Sequence, residues 1–198
     1  MDKTSKADGQ QETAQSVALL VRAMDYSAEK HKDQRRKNSN KHPYINHPVR
    51  VARRLIDAEI NDVSIIAAAL LHDTVEDTDA TKEEIKNLFG AEIASIVDEV
   101  SDDKTLPKEV RKQLQIQHAP SISPQAKAIK LADKLDNLTE LLEKTPIGWE
   151  PERVEQYFDW AKAVVDGLRG VNPALEQQLD EVFAKKADAA RKACSSVA

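Results

Sequence analysis

The sequence predicts an all-α protein, on the strength of two observations. Nearly every long segment repeats its apolar residues at intervals of three and four, which is the spacing of one helix face. Stretches that alternate apolar and polar residues, as half-buried strands do, are absent. The 198 residues, 40% of them hydrophobic and 32% charged, suit one soluble domain with its own core. We therefore expect a single helical bundle over 13–186, between a flexible N-terminal tail (1–12) and a C-terminal tail (187–198).

The first four helices are predicted from apolar faces and end signals. The faces of the first two are Val17, Leu20, Val21, Met24 and Ala28, and then Val49, Ala52, Leu55 and Ile56, with Pro48 as the first residue of the second helix. Asn61 or Asp62 can cap a third helix that runs from Val63 to about His72. That helix is apolar nearly all round, so we expect it to be central. Thr81 and Glu84 form a capping box for a fourth helix, which Gly90 ends.

The second half of the chain continues the helical pattern. A fifth helix carries Ile93, Ile96, Val97 and Val100. Ser123 and Pro124 begin a long helix, and two more follow it. The apolar faces of these three are Ile129, Ala132, Leu135, Leu138 and Leu142; Val154, Tyr157, Phe158, Ala161, Val164 and Leu168; and Leu175, Leu179, Val182 and Phe183.

Composition excludes several classes of function. A net charge of -5 argues against general nucleic-acid binding, which needs a basic surface. Cys194 is the only cysteine, so neither an intrachain disulfide nor a cysteine-based zinc site can form, which suits a reducing, cytoplasmic location. The longest apolar run, 65–71, is too short to span a membrane, and no glycine-rich phosphate loop is present.

Positive charge is concentrated in the segment 31–37, His-Lys-Asp-Gln-Arg-Arg-Lys, with Lys41 close by. A run of this kind, taken alone, is more often a solvated loop than a binding site. It becomes a candidate phosphate-binding patch only if phosphate chemistry lies nearby.

A candidate reactive segment follows the apolar third helix. His72, Asp73, Glu76 and Asp77 are spaced so that they share one side of a helix if the helix continues. Packed carboxylates repel one another and are costly to desolvate unless a cation neutralises them. The spacing is equally compatible with solvated acids at the end of a helix.

Two other segments favour a metal site. His47 stands at the mouth of a helix, and Asp133 lies in a helix otherwise rich in Leu and Ala. Each alone is ordinary, as a capping histidine and a surface acid. Together with His72 and Asp73 they form a set of two nitrogen and two carboxylate ligands, which suits Mn²⁺, Fe²⁺ or a similar ion.

These ordered motifs resemble the HD hydrolase domain of the RelA/SpoT family, and are most similar to its short stand-alone animal form. The motifs are His47, His72-Asp73, Glu76-Asp77 and 130–137 (Lys-Leu-Ala-Asp-Lys-Leu-Asp-Asn), with 102–108 and 145–149 also alike. The likeness runs from about Ala18 to Phe183. It implies a 3′-pyrophosphohydrolase that uses one Mn²⁺, or another divalent ion, to convert guanosine 3′-diphosphate 5′-diphosphate (ppGpp) to GDP and pyrophosphate.

The resemblance also implies residue roles. The metal ligands would be His47, His72, Asp73 and Asp133, and the hydrolytic step would use Glu76 and Asp77. The substrate contacts would be Arg35, Arg36, Lys37, Lys108, Asn137, Arg153 and Tyr157. The chain departs from the pattern at Asp136 and Thr139, where relatives often carry an aromatic residue or His, and an Arg, a change that bears on the nucleotide contacts.

Two alternatives stay open. The same metal chemistry could remove a single ribose phosphate, such as the 2′-phosphate of NADPH. The chain could instead be a nucleotide sensor that has lost catalysis, although such proteins usually lose a ligand or the Glu-Asp pair, and this sequence keeps both. In each case the expected partner is a small nucleotide, rather than a nucleic acid or a membrane.

Overall fold

The predicted all-α fold is confirmed by the computed structural model, which describes residues 3–37 and 40–195. In those ranges the structure has ten helices, and its one strand-like feature is an isolated bridge between Arg35 and Pro43. The helices are α1 (Lys3–Lys30), α2 (Asn46–Asp57), α3 (Val63–Leu71), α4 (Thr74–Asp77), α5 (Lys82–Phe89), α6 (Ala91–Val100), α7 (Lys108–His118), α8 (Pro124–Glu143), α9 (Pro151–Leu168) and α10 (Pro173–Ser195).

Helix α3 lies at the centre, as its uniform apolarity predicts. Six consecutive residues, 66–71, are buried, and α3 packs against α1, α2, α6 and α8. Asp62 caps it by accepting hydrogen bonds from the backbone N–H groups of Ser64 and Ile65. The second central helix, α8, buries eleven of its residues between α2, α6, α9 and α10. Together with α2, these two helices form the scaffold on which the candidate metal ligands stand.

The predicted boundary between α5 and α6 is confirmed. Thr81 accepts a hydrogen bond from the backbone N–H of Glu84 at 3.1 Å, which caps α5. Gly90 ends α5 with a φ of 92°, a conformation that residues with a Cβ rarely adopt. Ser123 likewise caps α8 ahead of Pro124.

Two predicted helix faces are partly wrong. On α1, Val17, Val21 and Met24 are exposed, while Ala23 and Ser27 are completely buried. Small side chains occupy the buried side because they allow α1 to approach the core closely. On α2, Val49 and Ile56 are exposed and Val51 takes a core position instead; Pro48 is the third helical residue rather than the first.

Helix α7 is absent from the sequence-based prediction. All eleven of its residues are described and none of them is buried, so it lacks the apolar face by which the other helices are recognised. Helix α3 also ends at Leu71, and His72 and Asp73 separate it from the single turn α4. The four candidate residues therefore do not share one continuous helix.

The terminal helices extend beyond the predicted core. Helix α1 begins at Lys3 and α10 runs to Ser195, within the segments assigned to tails, and the division at 12/13 and 186/187 stays a prediction. Across the part of the chain that is described, each helix is too short or too polar to cross a bilayer.

Candidate metal centre and substrate cavities

Three core helices deliver the candidate metal ligands to one point. His47 lies in the first turn of α2, His72 directly follows α3, and Asp133 lies in the middle of α8. Both imidazoles are buried, with exposed fractions of 1% and 5%. The Nδ1 of His72 lies 2.8 Å from the backbone carbonyl of Ala69. Because a carbonyl only accepts, Nδ1 carries the proton and Nε2 is left to bind a ligand.

The ligand atoms of His47, His72 and Asp133 all lie within 4.8 Å of one another. The Nε2 of His47 is 3.1 Å from the Oδ1 of Asp133, and the Nε2 of His72 is 4.0 Å from the same oxygen. Asp73 joins this cluster through Oδ2, which lies 3.1 Å from the Nε2 of His72 and 3.6 Å from that of His47. The four predicted ligands are thus brought together.

The cluster fits a metal ion by its donors and by one unsatisfied atom. The Nε2 of His72 is buried and has no hydrogen-bond partner among the described residues, although Asp73 and Asp133 are close. Such an atom is costly unless something binds it. Two imidazole nitrogens with carboxylate oxygens suit a first-row divalent ion.

Protons and carboxylates balance each other in this metal-free cluster. Burial opposes a charge on His72, but the neighbouring carboxylates of Asp73 and Asp133 outweigh it and raise its pKa to about 9. The pKa of Asp133 is well below its usual value, because Lys134 and His47 outweigh the effect of burial. A divalent cation would replace the proton on His72 as the charge that the carboxylates require.

Glu76 and Asp77 lie beside the cluster on α4. Glu76 accepts a hydrogen bond from the backbone N–H of Asp102 at 3.1 Å, and the Nη1 of Arg111 is 3.4 Å away. Burial, together with the charges of Asp102 and Asp73, raises the pKa of Glu76 to about 7. Asp77 accepts a hydrogen bond from Gln34 at 3.2 Å and another from Lys104.

Two adjoining cavities border these acids. The first, of about 380 Å³, includes Asp77 in its wall, and the second, of about 670 Å³, includes Glu76. The two cavities share Lys37, Trp149 and Tyr157. All seven predicted substrate contacts line them: Arg35, Arg36, Lys37, Asn137 and Tyr157 the first, and Lys37, Lys108, Arg153 and Tyr157 the second.

The basic segment 31–37 is not a uniformly solvated loop. The side chain of Arg36 is only 12% exposed, and its guanidinium is bonded to Glu140 and, at 2.8 Å, to the side-chain oxygen of Asn137. Asn137 in turn donates to Asp133 at 2.6 Å, which connects the arginine to the metal cluster. His31 is buried, whereas Arg35 is exposed and donates to the carbonyls of Lys32 and Gln34.

Sequence reasoning assigned no role to several residues that shape the site. Tyr44 donates to Oδ2 of Asp73 at 2.6 Å and lies in the first cavity wall, three residues before His47. Lys104 and Arg111 contact the Glu76-Asp77 pair from the 101–118 region. The family resemblance of the segment 102–108 indicated that this region matters. The sequence analysis predicted no helix over α7, however, so it could not place Arg111.

Comparison with known proteins now gives the family. The HD domain matches residues 23–156. This chain belongs to the HD-domain family. Members of that family at high identity include the guanosine-3′,5′-bis(diphosphate) 3′-pyrophosphohydrolases MESH1 of Danio rerio and Homo sapiens. The first is 54% identical over 172 residues, which cover 86% of this chain and 96% of the relative, and the second is 53% identical over 171 residues, with the same coverage.

A solved structure supports the same relationship. A metazoan orthologue of SpoT, described as hydrolysing ppGpp and playing a role in starvation responses, superposes with a TM-score of 0.84 at 51% identity. The match covers 85% of this chain and 96% of that one. The HD-domain assignment and the His/Asp cluster together indicate a site for a divalent metal ion.

Proposed function

We propose that this chain is a 3′-pyrophosphohydrolase that converts ppGpp to GDP and pyrophosphate with the aid of Mn²⁺. The observation that carries the proposal is the cluster of His47, His72 and Asp133 beside two cavities whose walls include several Arg and Lys side chains. Relatives named for this activity are more than half identical to the chain and are covered by it almost completely. Their substrate combines a nucleotide with a pyrophosphate, and this site offers a metal position next to separate cationic groups.

The metal would be held by His47, His72, Asp73 and Asp133. When bound, a divalent ion supplies a Lewis acid that polarises a phosphate oxygen and makes water more acidic. Tyr44 and Asn137 orient the carboxylates of Asp73 and Asp133 through the hydrogen bonds they donate. Both orienting residues also line the first cavity, so the proposed ligands lie one side chain away from the bound substrate.

Glu76 is suited to handle the proton of the attacking water. With a pKa raised to about 7 by burial, Asp102 and Asp73, this carboxyl can both accept and release a proton near neutral pH. Asp77 is held between Gln34 and Lys104 and is better placed to orient water or substrate. The proton-handling role of Glu76 and the orienting role of Asp77 are supported by their contacts and by the pKa of Glu76.

The second cavity provides cations for the phosphates. Within the described part of the chain, Lys37, Lys108 and Arg153 have no carboxylate partner, and the guanidinium of Arg153 lies 4.2 Å from the ring centre of Trp149. They can bind phosphate oxygens without breaking an ion pair. Charge-assisted contacts of this kind also offset the charge that spreads over the oxygens in the transition state.

A direct assay tests this function. The purified chain is incubated with ppGpp or with NADPH, with Mn²⁺ or with a chelator, and the products are separated. We expect GDP and pyrophosphate in equal amounts from ppGpp, only with the metal. Faster release of phosphate from NADPH would favour ribose-phosphate removal, and binding of ppGpp without turnover in the Mn²⁺ arm would favour a sensor.

A further inference from the structure

The second ring nitrogen of His47 has a buried partner outside the candidate metal cluster. Its Nδ1 lies 2.8 Å from the Oδ2 of Asp136, and the two side chains are only 1% and 2% exposed. A carboxylate only accepts, so Nδ1 donates to Asp136, and this contact turns Nε2 toward Asp133, whose Oδ1 lies 3.1 Å away in the candidate metal cluster.

The same carboxylate is fixed by two arginines. The Nε of Arg50 lies 3.0 Å from Oδ1 of Asp136, and the Nε of Arg54 lies 3.3 Å from the same oxygen. His47, Arg50 and Arg54 are three and four residues apart on α2, so one face of that helix directs an imidazole and two guanidiniums at one residue of α8. This contact fixes α2 against α8 at the turn that carries His47.

Asp136 does not line either substrate cavity. It borders a third recess, together with Arg53 and Thr139, which shares only Glu140 and Lys144 with the first cavity. The departure from the family pattern at position 136 therefore places a carboxylate behind a proposed metal ligand rather than in a nucleotide contact.

We propose that Asp136 is a positioning residue that holds His47 with Nδ1 protonated and Nε2 directed at the metal. The inference rests on the proposed metal site, but it is independent of the substrate. A carboxylate behind a ligating histidine fixes the ring and makes the ligand more basic, and its removal typically weakens metal binding by about 10- to 100-fold.

The test is Mn²⁺ binding to the nucleotide-free protein, measured by titration calorimetry. Asp136→Ala should weaken the affinity by about 10- to 100-fold and Asp136→Asn, which keeps the volume and one acceptor oxygen, by up to about tenfold. The matched control is Arg53→Ala on the same recess, since Arg53 pairs with Asp57 rather than Asp136. It should bind Mn²⁺ like the wild type.

A second readout separates positioning from loss of structure. With Mn²⁺ at saturation, the KM for ppGpp of the Asp136→Asn protein should equal that of the wild type, because Asp136 lies outside the substrate cavities. Wild-type Mn²⁺ affinity in Asp136→Ala, or in Asp136→Asn if the alanine variant does not fold, would overturn the inference. An equal loss in Arg53→Ala would overturn it too. A wild-type protein that binds no Mn²⁺ would instead contradict the proposed metal site itself.

Discussion

The proposed metal ligands and most of the residues that line the candidate substrate cavities lie in different parts of the fold. The proposed ligands stand on or directly after α2, α3 and α8, whose apolar residues form the buried core, and His47 and His72 are themselves buried. Most of the cavity wall comes from the segment 34–37, α7 and the start of α9, and the core helix α8 adds Asn137, Glu140 and Leu141. Helix α7 contributes no buried residue, and its Lys108 is exposed.

The two regions are therefore suited to different tasks. The cluster is preorganised by core packing, which restricts the rotamers of its donor side chains. The peripheral wall carries most of the cations, and these can move onto a substrate at little cost in folding energy. Substitutions in the two regions should therefore differ in both size and kind.

The largest effect is expected in the cluster. His72→Ala removes a proposed ligand and should lower kcat by at least about a thousandfold, since the metal supplies both polarisation and an activated water. Asp73→Ala should act in the same direction. Metal analysis should show reduced Mn²⁺ in both proteins, and full activity with tightly bound metal would contradict the assignment.

Glu76 lies where the second cavity meets the cluster, so its substitution tests whether it handles a proton or binds the metal. Glu76→Gln should keep the metal and lower kcat by roughly a hundredfold or more, the range of general acid–base catalysis, with little change in ppGpp binding. Asp77→Asn is the companion variant, with the same retained metal expected. Loss of metal in step with activity would move the residue concerned into the metal-binding set.

Arg36 connects the two regions, because it lies in the segment 34–37 and donates to Asn137, which in turn donates to Asp133 of the cluster. Arg36→Ala should lower kcat/KM for ppGpp on the order of tenfold, which equals about 1.4 kcal/mol. In a solvated loop, which is the more common interpretation of such a charged run, Arg36 would contribute little to stability. The structure instead predicts a loss of about 1–3 kcal/mol in unfolding free energy, because Arg36, whose side chain is only 12% exposed, donates hydrogen bonds to Glu140 and Asn137 that alanine cannot make.

Two controls frame the Arg36 result. Lys108→Ala should reduce kcat/KM by a similar factor without changing the melting temperature, since Lys108 is exposed and has no ion pair in the described part of the chain. Lys82→Ala, at the start of α5 and paired with Asp98, should leave the kinetics unchanged. Unchanged kinetics in all three proteins over a range of salt would contradict the proposed substrate contacts of Arg36 and Lys108.

The smallest effect concerns protons. In the metal-free protein the pKa of His72 is raised to about 9, so this imidazole is protonated at pH 7 and must lose its proton to bind a metal. Mn²⁺ affinity should therefore rise with pH below 9, by about threefold per half-unit for one proton released, and level off above 9. Calorimetry in buffers of different ionisation enthalpy measures the proton directly. A Mn²⁺ affinity that is independent of pH between 6 and 8 would contradict the predicted release of a proton from His72.

Local sequence signals determined most of the helices and the identity of the proposed ligands. The spacing of apolar residues and the caps at Asp62, Thr81 and Ser123 are properties of a few adjacent residues, so they could be recognised without a fold. The ligand types at His47, His72 and Asp133 followed from the same kind of local information, together with the family resemblance.

Only the tertiary structure decided which groups meet. The sequence could not show that Ala23 rather than Val21 faces the core, because the choice depends on how closely α1 approaches α3. It could not place Asp136 behind His47, or Arg111 beside Glu76, since those pairs are 89 and 35 residues apart along the chain. Contacts over such separations depend on the packing of whole helices, and no local pattern of residues encodes them.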